Sequence, residues 1–201
     1  MSGGRIRVRE ATPADAAAIA RVHVDTWRSA YRGIVPQSHL DQLSYEARTR
    51  RWQTMRQDPQ AGVGTFVAET AEARIVGFAG GGPERGADPA ARGELYAIYV
   101  LAEHQRSGVG RALTLAVVER LGAAGFSSMV VWALADNPSR RFYERLGGEP
   151  AGSRDIEIGG LVLRETAYGW HDMTALRRAC AGPVPAPSPA PATHPGPQPA
   201  P

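Results

Sequence analysis

Two stretches of this sequence, ELYAIYVL at 94–101 and SSMVVWAL at 127–134, are almost continuously apolar and rich in β-branched and aromatic residues. Such stretches are typical of strands that are covered on both faces, as in a parallel sheet. The segment between them carries apolar residues at helical spacing, namely Val109, Leu113, Val117 and Leu121. This order predicts a β-α-β unit with a right-handed crossover, so the chain is restricted to folds that contain a parallel strand pair.

The remainder of the chain supplies strands and helices on either side of this unit. The other predicted strands are 5–10, 65–69, 74–79 and a hairpin over 156–168. The predicted helices begin near Thr12, Ser44, Gly108 and Pro138. The helix that begins at Ser44 is predicted to reach about Gln57. The resulting order, β-α-α-β-β-β-α-β-α-β-β, predicts an α/β fold (an α+β mixed sheet) with helices on both faces of a central mixed sheet.

The length of 201 residues fits a single domain. The last residues alternate proline with small residues and cannot bury apolar surface, so 1–181 is predicted to be the folded domain and 182–201 an extended, disordered tail. No apolar run is long enough for a membrane span, and the N-terminus lacks a secretory apolar segment. The one cysteine, Cys180, fits a reducing compartment, and we expect a cytoplasmic protein that has no membrane partner.

Charge and residue usage exclude several classes of function. The chain contains arginine but no lysine, which removes Schiff-base lysines and the lysine of a triphosphate-binding loop. The arginines are spread along the chain and interleaved with acids, so we expect no nucleic-acid partner. Because His23, His39, His104 and His171 show no metal-ligand spacing, we expect no metal.

The segment HQRSGVGRAL at 104–113 opens the helix of the β-α-β unit with two glycines. The first N–H groups of a helix have no internal partner and carry partial positive charge. Gly108 and Gly110 lack the Cβ atoms that would hold a diphosphate away from these donors, and Arg106 and Arg111 add charge suited to phosphate. The pattern predicts a site for a cofactor that carries a pyrophosphate.

Two other interpretations of these glycines are open. A dinucleotide site of the Rossmann type needs a third small residue where this chain has Leu113, although Asp136 after the next strand could stand in for the ribose-binding acid of such a site. A structural turn that only opens a helix needs no ligand. Further motifs in the chain favour the cofactor site.

Three motifs in sequence order resemble the GNAT family of acetyl-CoA-dependent N-acetyltransferases. QRSGVG at 105–110 is similar to the family's Q/R-x-x-G-x-G/A loop. NPSRRFYERLG at 137–147 resembles the segment in which an Asn follows the second strand and F-Y-E-x-x-G lies on the next helix. WRSAYRGIVP at 27–36 looks like the first helix of many small-molecule and uncharacterised members. The resemblance covers about 6–170 and implies that acetyl-CoA is the acyl donor.

The resemblance also implies a place for the donor. In this family two neighbouring parallel strands, here 94–101 and 127–134, splay apart and receive the pantetheine arm between them. The backbone of Tyr99 and Val100 would pair with the arm, and the Val100 N–H would polarise the thioester carbonyl. The implied cofactor-binding residues are Tyr99, Val100, Gln105, Arg106, Ser107, Gly108, Val109, Gly110, Arg111 and Asn137.

Proton transfer requires two further groups. An alkylamine with a pKa near ~10 must lose a proton before it attacks, and Glu94 is the leading acceptor, with a solvated acid at the strand edge as the alternative. The family assigns protonation of the leaving thiolate to the Tyr of F-Y-E, here Tyr143, whose alternative role is core packing. This chain departs from the family because Tyr143 follows Asn137 by six residues, where many members have seven.

Three aromatic residues are expected to line the acceptor pocket or to be core. Trp27 and Tyr31 are four residues apart and therefore share one face of a helix. Tyr96 lies two residues after Glu94 and projects from the same face of the strand.

We therefore expect an N-acetyltransferase that transfers acetyl to a primary amine by direct attack in a ternary complex. A small-molecule amine is favoured because the segment between Arg28 and Pro59 is long enough to enclose one; an acidic acceptor could use Arg28 or Arg32, and a cationic one Glu94 or Asp41. The alternatives are a protein or peptide N-terminal acetyltransferase and a non-catalytic acyl-CoA-binding module. A homodimer is a further expectation from the resemblance.

Overall fold

The computed structural model describes residues 6–54, 58, 60, 63–86 and 92–182. A seven-stranded sheet has the order β1-β2-β3-β4-β5-β7-β6. Its strands are β1 (Arg7–Glu10), β2 (Gly64–Glu69), β3 (Ile75–Pro83), β4 (Gly93–Val100), β5 (Met129–Leu134), β6 (Glu149–Ile158) and β7 (Leu161–Trp170). The helices are α1 (Ala16–Ala30), α2 (Gln37–Asp41), α3 (Tyr45–Gln53), α4 (Val109–Ala123), α5 (Arg140–Arg145) and α6 (Met173–Ala181).

The sheet is mixed, as predicted. Strands β4 and β5 pair in parallel, and the other neighbouring pairs in the described residues are antiparallel. Helix α4 connects the parallel pair, which confirms the predicted β-α-β unit and the predicted α/β fold with a mixed sheet.

Helices cover both faces of the sheet. Helix α4 packs on β2, β3 and β4 and against α6, whereas α1 packs on β3 and β4 and against α3. The apolar positions of α4 recognised in the sequence, Leu113, Val117 and Leu121, are buried against the sheet. On the opposite face, Ile19 and Val22 of α1 pack with Phe78 of β3. The site described below lies where these two layers meet β4.

Helix α6 differs from the sequence prediction, which contains no helix after residue 168. Met173, Leu176 and Cys180 recur at i, i+3 and i+7, and all three are buried. The helix begins with a side-chain cap, because Oδ1 of Asp172 accepts a hydrogen bond from the backbone N–H of Thr174 at 2.7 Å. These signals were in the sequence, but the pattern is short and borders the proline-rich segment.

The C-terminal end of α6 is bound by α4. Nη2 of Arg111 donates hydrogen bonds to the carbonyl oxygens of Ala179 and Gly182, each at 2.5 Å. The folded unit therefore extends to Gly182, one residue beyond the predicted boundary. The predicted disordered tail otherwise lies outside the described residues.

Two other boundaries differ from the prediction. Helix α3 ends at Gln53, earlier than the predicted Gln57, which lies outside the described residues. The C-terminal hairpin runs from Glu149 to Trp170 and is longer than the predicted 156–168. Strand β6 is largely exposed, so its sequence lacks the apolar alternation from which a strand is recognised.

Candidate active site

A gap opens in the middle of the sheet between β4 and β5. The two strands pair only over 93–95 and 129–131, and beyond these residues they diverge. The second half of β4 keeps its pairing with β3 on the other edge. This β4–β5 gap leaves two strand edges apart, which is the geometry that accepts an extended ligand as an added strand.

A β-bulge in β4 lies at the point of divergence. Opposite β3, Leu95 pairs with Gly81 and Ala97 with Gly80, so Tyr96 is the extra residue. A bulge bends its strand and increases the local twist. Because parallel pairing ends at Leu95 and the bulge follows directly, the bulge turns the rest of β4 away from β5.

The backbone N–H of Val100 faces the β4–β5 gap. The N–H of Leu101 donates to the carbonyl oxygen of Val76 on β3 at 2.9 Å, and successive N–H groups of a strand point to opposite edges. On the same edge of β4, the carbonyl of Val100 accepts a hydrogen bond from Nε2 of Gln105 at 3.0 Å. The Gln105 side chain therefore ties the end of β4 to the loop that follows, a role the sequence did not reveal.

Residues 105–111, here called the anion loop, enter α4 through two left-handed backbone positions. Arg106 has a φ of 58° and Gly108 a φ of 91°. Gly108 is the N-cap of α4, so the N–H groups of the first turn have no partner within the helix. Alternation of left- and right-handed conformations makes backbone N–H groups converge on a small anion. The anion loop thus fits the diphosphate predicted from the glycines.

The side chains of the anion loop have structural partners. Oγ of Ser107 donates to the carbonyl of His104 at 2.6 Å. Nη2 of Arg111 donates to the end of α6, so a contact of this side chain with phosphate would have to compete with those hydrogen bonds. A Cβ at Gly110 would lie 3.3 Å from the Phe142 ring, so this glycine allows close packing with α5.

Tyr143 on α5 is buried beneath the gap. Its ring packs against those of Phe142, Tyr168 and Trp170, with centroid distances of 5.4, 5.9 and 6.5 Å. Burial raises the pKa of the Tyr143 phenol well above its usual value, and the nearby Tyr31 raises it further. The hydroxyl consequently stays protonated at neutral pH and can donate a hydrogen bond or a proton.

Asn137 begins the turn that leads into α5. Its Oδ1 accepts a hydrogen bond from the N–H of Ser139 at 2.8 Å, and the residue is buried. Burial raises the pKa of Tyr31, and contacts of its hydroxyl with Tyr99 and Asn137 lower it in part. Asn137 thus links Tyr31, at the end of α1, to the start of α5, and its contact with the cofactor stays a prediction.

Glu94 is 2% exposed, which excludes the solvated acid considered from the sequence. Its Oε2 accepts hydrogen bonds from the backbone N–H and Nε of Arg85 at 2.9 and 3.2 Å, and its Oε1 accepts one from Nη2 of Arg85 at 2.5 Å. The Arg85 guanidinium lies 4.4 Å from the centre of the Tyr96 ring, and the Tyr96 hydroxyl donates to the carbonyl of Pro83 at 2.6 Å. Sequence reasoning missed Arg85, because only the β3–β4 turn brings it to Glu94.

Trp27 and Tyr31 lie together on α1, as their spacing predicts. Their ring centroids are 4.8 Å apart, and both contact the apolar cluster that α1 and α2 form with β5 and the β6–β7 hairpin. A Cβ at Gly159 would lie 2.8 Å from the Cβ of His39, so the hairpin tip closely approaches α2. These elements cover the α1 side of the gap.

The described residues contain neither a cluster of metal ligands nor a helix that could span a membrane. No group of three or more His, Cys, Asp or Glu residues among them is arranged to hold a metal ion. Within the same part of the chain, no helix combines the length and apolar character required to cross a bilayer.

Known proteins are similar to this chain in sequence and in fold. Residues 21–148 match the model of the acetyltransferase (GNAT) family. YuaI of Bacillus subtilis (strain 168), described as an uncharacterized N-acetyltransferase, is 41% identical over 172 residues, which cover 86% of this chain and 96% of that protein. A phosphinothricin N-acetyltransferase from Streptomyces viridochromogenes is 29% identical over 189 residues, covering 90% of this chain and 91% of that protein.

A solved structure shows the same architecture. The structure of yncA, a putative acetyltransferase from Salmonella typhimurium with its cofactor acetyl-CoA, superimposes with a TM-score of 0.63 at 20% identity, covering 92% of this chain and 99% of that one. This likeness concerns the fold, while the family match rests on sequence. Together with the β4–β5 gap and the anion loop, these matches show that the chain belongs to the GNAT family of acetyltransferases and is an N-acetyltransferase.

Proposed function

We propose that this enzyme transfers an acetyl group from acetyl-CoA to the primary amine of a small molecule, by direct attack in a ternary complex. One observation carries the proposal: the β4–β5 gap is bordered by the Val100 N–H and by the anion loop, and the protonated phenol of Tyr143 lies close enough to Tyr99, on the diverging part of β4, to affect its pKa. An acyl transfer from a thioester needs a contact for the carbonyl oxygen, an anchor for the diphosphate and a proton donor for the thiolate.

The residues of the gap fit acetyl-CoA. The unpaired edge of β4 offers backbone groups to an extended pantetheine arm, and the amides of the anion loop would hold the diphosphate. Bound there, acetyl-CoA supplies the activated acetyl group. The Val100 N–H would stabilise the negative charge that develops on the thioester carbonyl oxygen, and the Tyr143 hydroxyl would protonate the departing thiolate.

Glu94 would accept the proton of the attacking amine. Its carboxylate is buried but is already held by Arg85, so the acceptor or a water has to compete with this ion pair. In the E94Q variant, kcat/KM should fall about 100-fold near pH 7. The loss should shrink towards pH 10, because the free amine then loses its proton without a base.

The matched control for E94Q is Glu84→Gln. Glu84 is also buried and also paired with an arginine, Arg92, but it lies in the β3–β4 turn and has no assigned role. Steady-state rates of both variants from pH 6 to pH 10 separate the two roles. A defect of E94Q that stays constant with pH, or one equal to that of E84Q, would assign Glu94 to structure alone.

A small-molecule acceptor is supported by the cover over the α1 side of the gap. Helix α2 and the tip of the β6–β7 hairpin approach each other there, and Tyr31 and Trp27 fill the space beneath them. This cover leaves less room for a folded protein surface than for a small amine. The name of the phosphinothricin N-acetyltransferase relative also points to a small-molecule acceptor for that protein.

The proposal is tested with acetyl-CoA and a panel of amines. Release of the free thiol is followed spectrophotometrically, and the acetylated product is identified by mass spectrometry. We expect thiol release that depends on a small amine and one acetyl group added to it. Acetylation of peptide N-termini alone would make the enzyme a peptide acetyltransferase, and binding of acetyl-CoA without thiol release across the panel would make it a binding module.

A further inference from the structure

A group of polar and aromatic side chains between α1, α3 and β4 has no role in the mechanism above. We name it the α1–α3 cluster and define it by His23, Trp27, Arg48, Trp52 and Tyr99. The His23 ring lies at its centre, with its centroid 5.8 Å from that of Trp27, 6.3 Å from Trp52 and 5.1 Å from Tyr99. His23 itself is only 8% exposed.

The α1–α3 cluster contains buried polar atoms that lack hydrogen-bond partners among the described residues. They are both ring nitrogens of His23, Nε1 of Trp52 and Oγ1 of the adjacent Thr26, whereas the Trp27 side chain interacts with the Tyr99 hydroxyl. Buried polar atoms are nearly always hydrogen-bonded in folded proteins, and leaving one unsatisfied is costly. Such a concentration in one place indicates that an additional group completes these hydrogen bonds.

The chemistry of the α1–α3 cluster favours an anion as that group. The two indole N–H groups can only donate. Arg48 is partly buried and Arg51 is exposed on the same helix, and neither guanidinium forms an ion pair with an acid in the part of the chain that the structure describes. Burial and both arginines lower the pKa of His23 to about 3, so the imidazole is neutral at physiological pH and retains one N–H donor.

The α1–α3 cluster is connected to the reaction site through tyrosines. Tyr99 belongs to the part of β4 that has left β5, and it contacts Tyr31. Tyr31 lies in turn close enough to Tyr143 to affect the pKa of its phenol. A ligand whose anionic end contacts the α1–α3 cluster therefore lies next to the groups assigned to acyl transfer.

Arg28, considered from the sequence for an acidic acceptor, is engaged elsewhere. Its guanidinium donates to the carbonyl oxygens of Leu40 and Leu43, at 3.4 and 2.9 Å, and so fastens α1 to the segment before α3. Arg48, in contrast, is partly buried and forms no ion pair with a carboxylate of the described residues. Of these two arginines, Arg48 is the one suited to recognise a ligand.

We infer that the α1–α3 cluster binds a carboxylate of the acceptor, so that the preferred substrate is an amine that also carries a carboxylate, such as an amino acid. The inference rests on the proposed function, which it makes more specific. A buried water could satisfy the imidazole and indole nitrogens, but it would leave the partly buried charge of Arg48 without a counterion. A carboxylate supplies both acceptor oxygens and the opposite charge.

The test compares amino acids with the same amino acids as primary carboxamides. Wild type should acetylate the carboxylates with a kcat/KM about 10- to 100-fold above that of the carboxamides. Arg48→Gln should remove most of this preference by lowering kcat/KM for the carboxylates towards that for the carboxamides, and it should leave the affinity for acetyl-CoA intact. Arg50→Gln is the matched control, because Arg50 is an exposed arginine on the same helix.

A second readout needs no turnover. Trp27 and Trp52 belong to the α1–α3 cluster, so binding of an amino acid should change tryptophan fluorescence in wild type and R50Q but not in R48Q. Thermal unfolding of each variant checks that it is folded. Equal rates and equal binding for carboxylates and carboxamides would overturn the inference while leaving the proposed acetylation of amines intact. Binding that depends on Arg48 without any thiol release would instead support carboxylate recognition and overturn the proposed function.

Discussion

Tyr143 can be tested against a neighbour of the same type. Tyr143→Phe keeps the ring that packs on Phe142 and removes only the hydroxyl, so the rate of thiol release should fall about 100-fold while the Kd for acetyl-CoA is unchanged. Tyr168→Phe is the control, since Tyr168 is also buried and its hydroxyl donates to Oε1 of Glu144 at 3.1 Å. Equal losses in the two variants, measured by steady-state kinetics and calorimetry, would assign Tyr143 to packing.

His23 predicts how stability depends on pH. Its pKa is about 3 in the folded enzyme and about 6.5 in an unfolded chain, so at lower pH the unfolded state binds the proton first. Its contribution to stability is therefore fully present above pH 6.5 and is lost as the pH falls towards 3, by on the order of 1 kcal/mol per pH unit. This loss should be absent in His23→Gln.

The measurement is urea unfolding between pH 7 and pH 4. His171→Gln removes an exposed histidine and serves as the control for His23→Gln. If wild type and H23Q lose stability in parallel over this range, His23 is not buried in a neutral form. A pH dependence that is weaker in H23Q than in wild type and H171Q would agree with the structure; the remainder comes from carboxylates such as Asp15, whose pKa is lowered to about 2 by its hydrogen bond with Arg9.

At the scale of single residues, the sequence predicted which side chains could take part in the reaction, but it did not predict which residues they contact. It singled out Tyr143 and Glu94, and both are buried near the β4–β5 gap. It did not identify the partners that determine how these groups behave, because Arg85 lies nine residues before Glu94 in the β3–β4 turn. The α1–α3 cluster was also missed, since its members come from three elements that only the tertiary fold assembles.

Among the structural elements, the anion loop offers a test that separates backbone strain from ligand binding. Gly108, at the start of α4, and Gly125, just after its end, have nearly equal φ values of 91° and 93°. Alanine at either position is strained in the left-handed region and should lower the free energy of unfolding by about 1 kcal/mol. Only Gly108→Ala should also weaken acetyl-CoA binding, by at least about 10-fold, because only Gly108 lies in the anion loop.

Isothermal calorimetry with acetyl-CoA and thermal unfolding of both variants provide the two readouts. Gly125→Ala controls for strain, since a Cβ there meets no atom within 4 Å. Unchanged affinity in G108A together with the same loss of stability as in G125A would separate the anion loop from the cofactor.

Elements with a strong periodic pattern were predicted correctly, and those formed by irregular geometry were not. The β4-α4-β5 unit follows from two apolar runs and one helical repeat, and the structure contains it. The bulge at Tyr96 has no signal in a single sequence, because it depends on the register of β3 opposite β4. The direction of the Val100 N–H depends on that register in turn.

At the scale of the whole molecule, the sheet consists of two parts joined at one short ladder. Strands β1 to β4 form one part and β5, β7 and β6 the other, and the two parts pair only over 93–95 and 129–131. The β4–β5 gap is the open side of this junction. Helices α4 and α5 approach each other near the same gap, where Gly110 contacts Phe142. The elements proposed to bind the donor are therefore also those that hold the two parts together.

Truncation tests where this folded unit ends. A chain that stops after Gly182 keeps α6 and both hydrogen bonds of Arg111, so its unfolding midpoint should stay within about 2 °C of that of the full chain, with unchanged thiol release. A chain that stops after Asp172 loses the buried side chains of Met173, Leu176 and Cys180 and exposes the face of α4 on which they pack. That change should cost several kcal/mol and lower the midpoint by more than about 10 °C, measured by circular dichroism. A large loss already in the longer chain would mean that residues 183–201 belong to the folded unit.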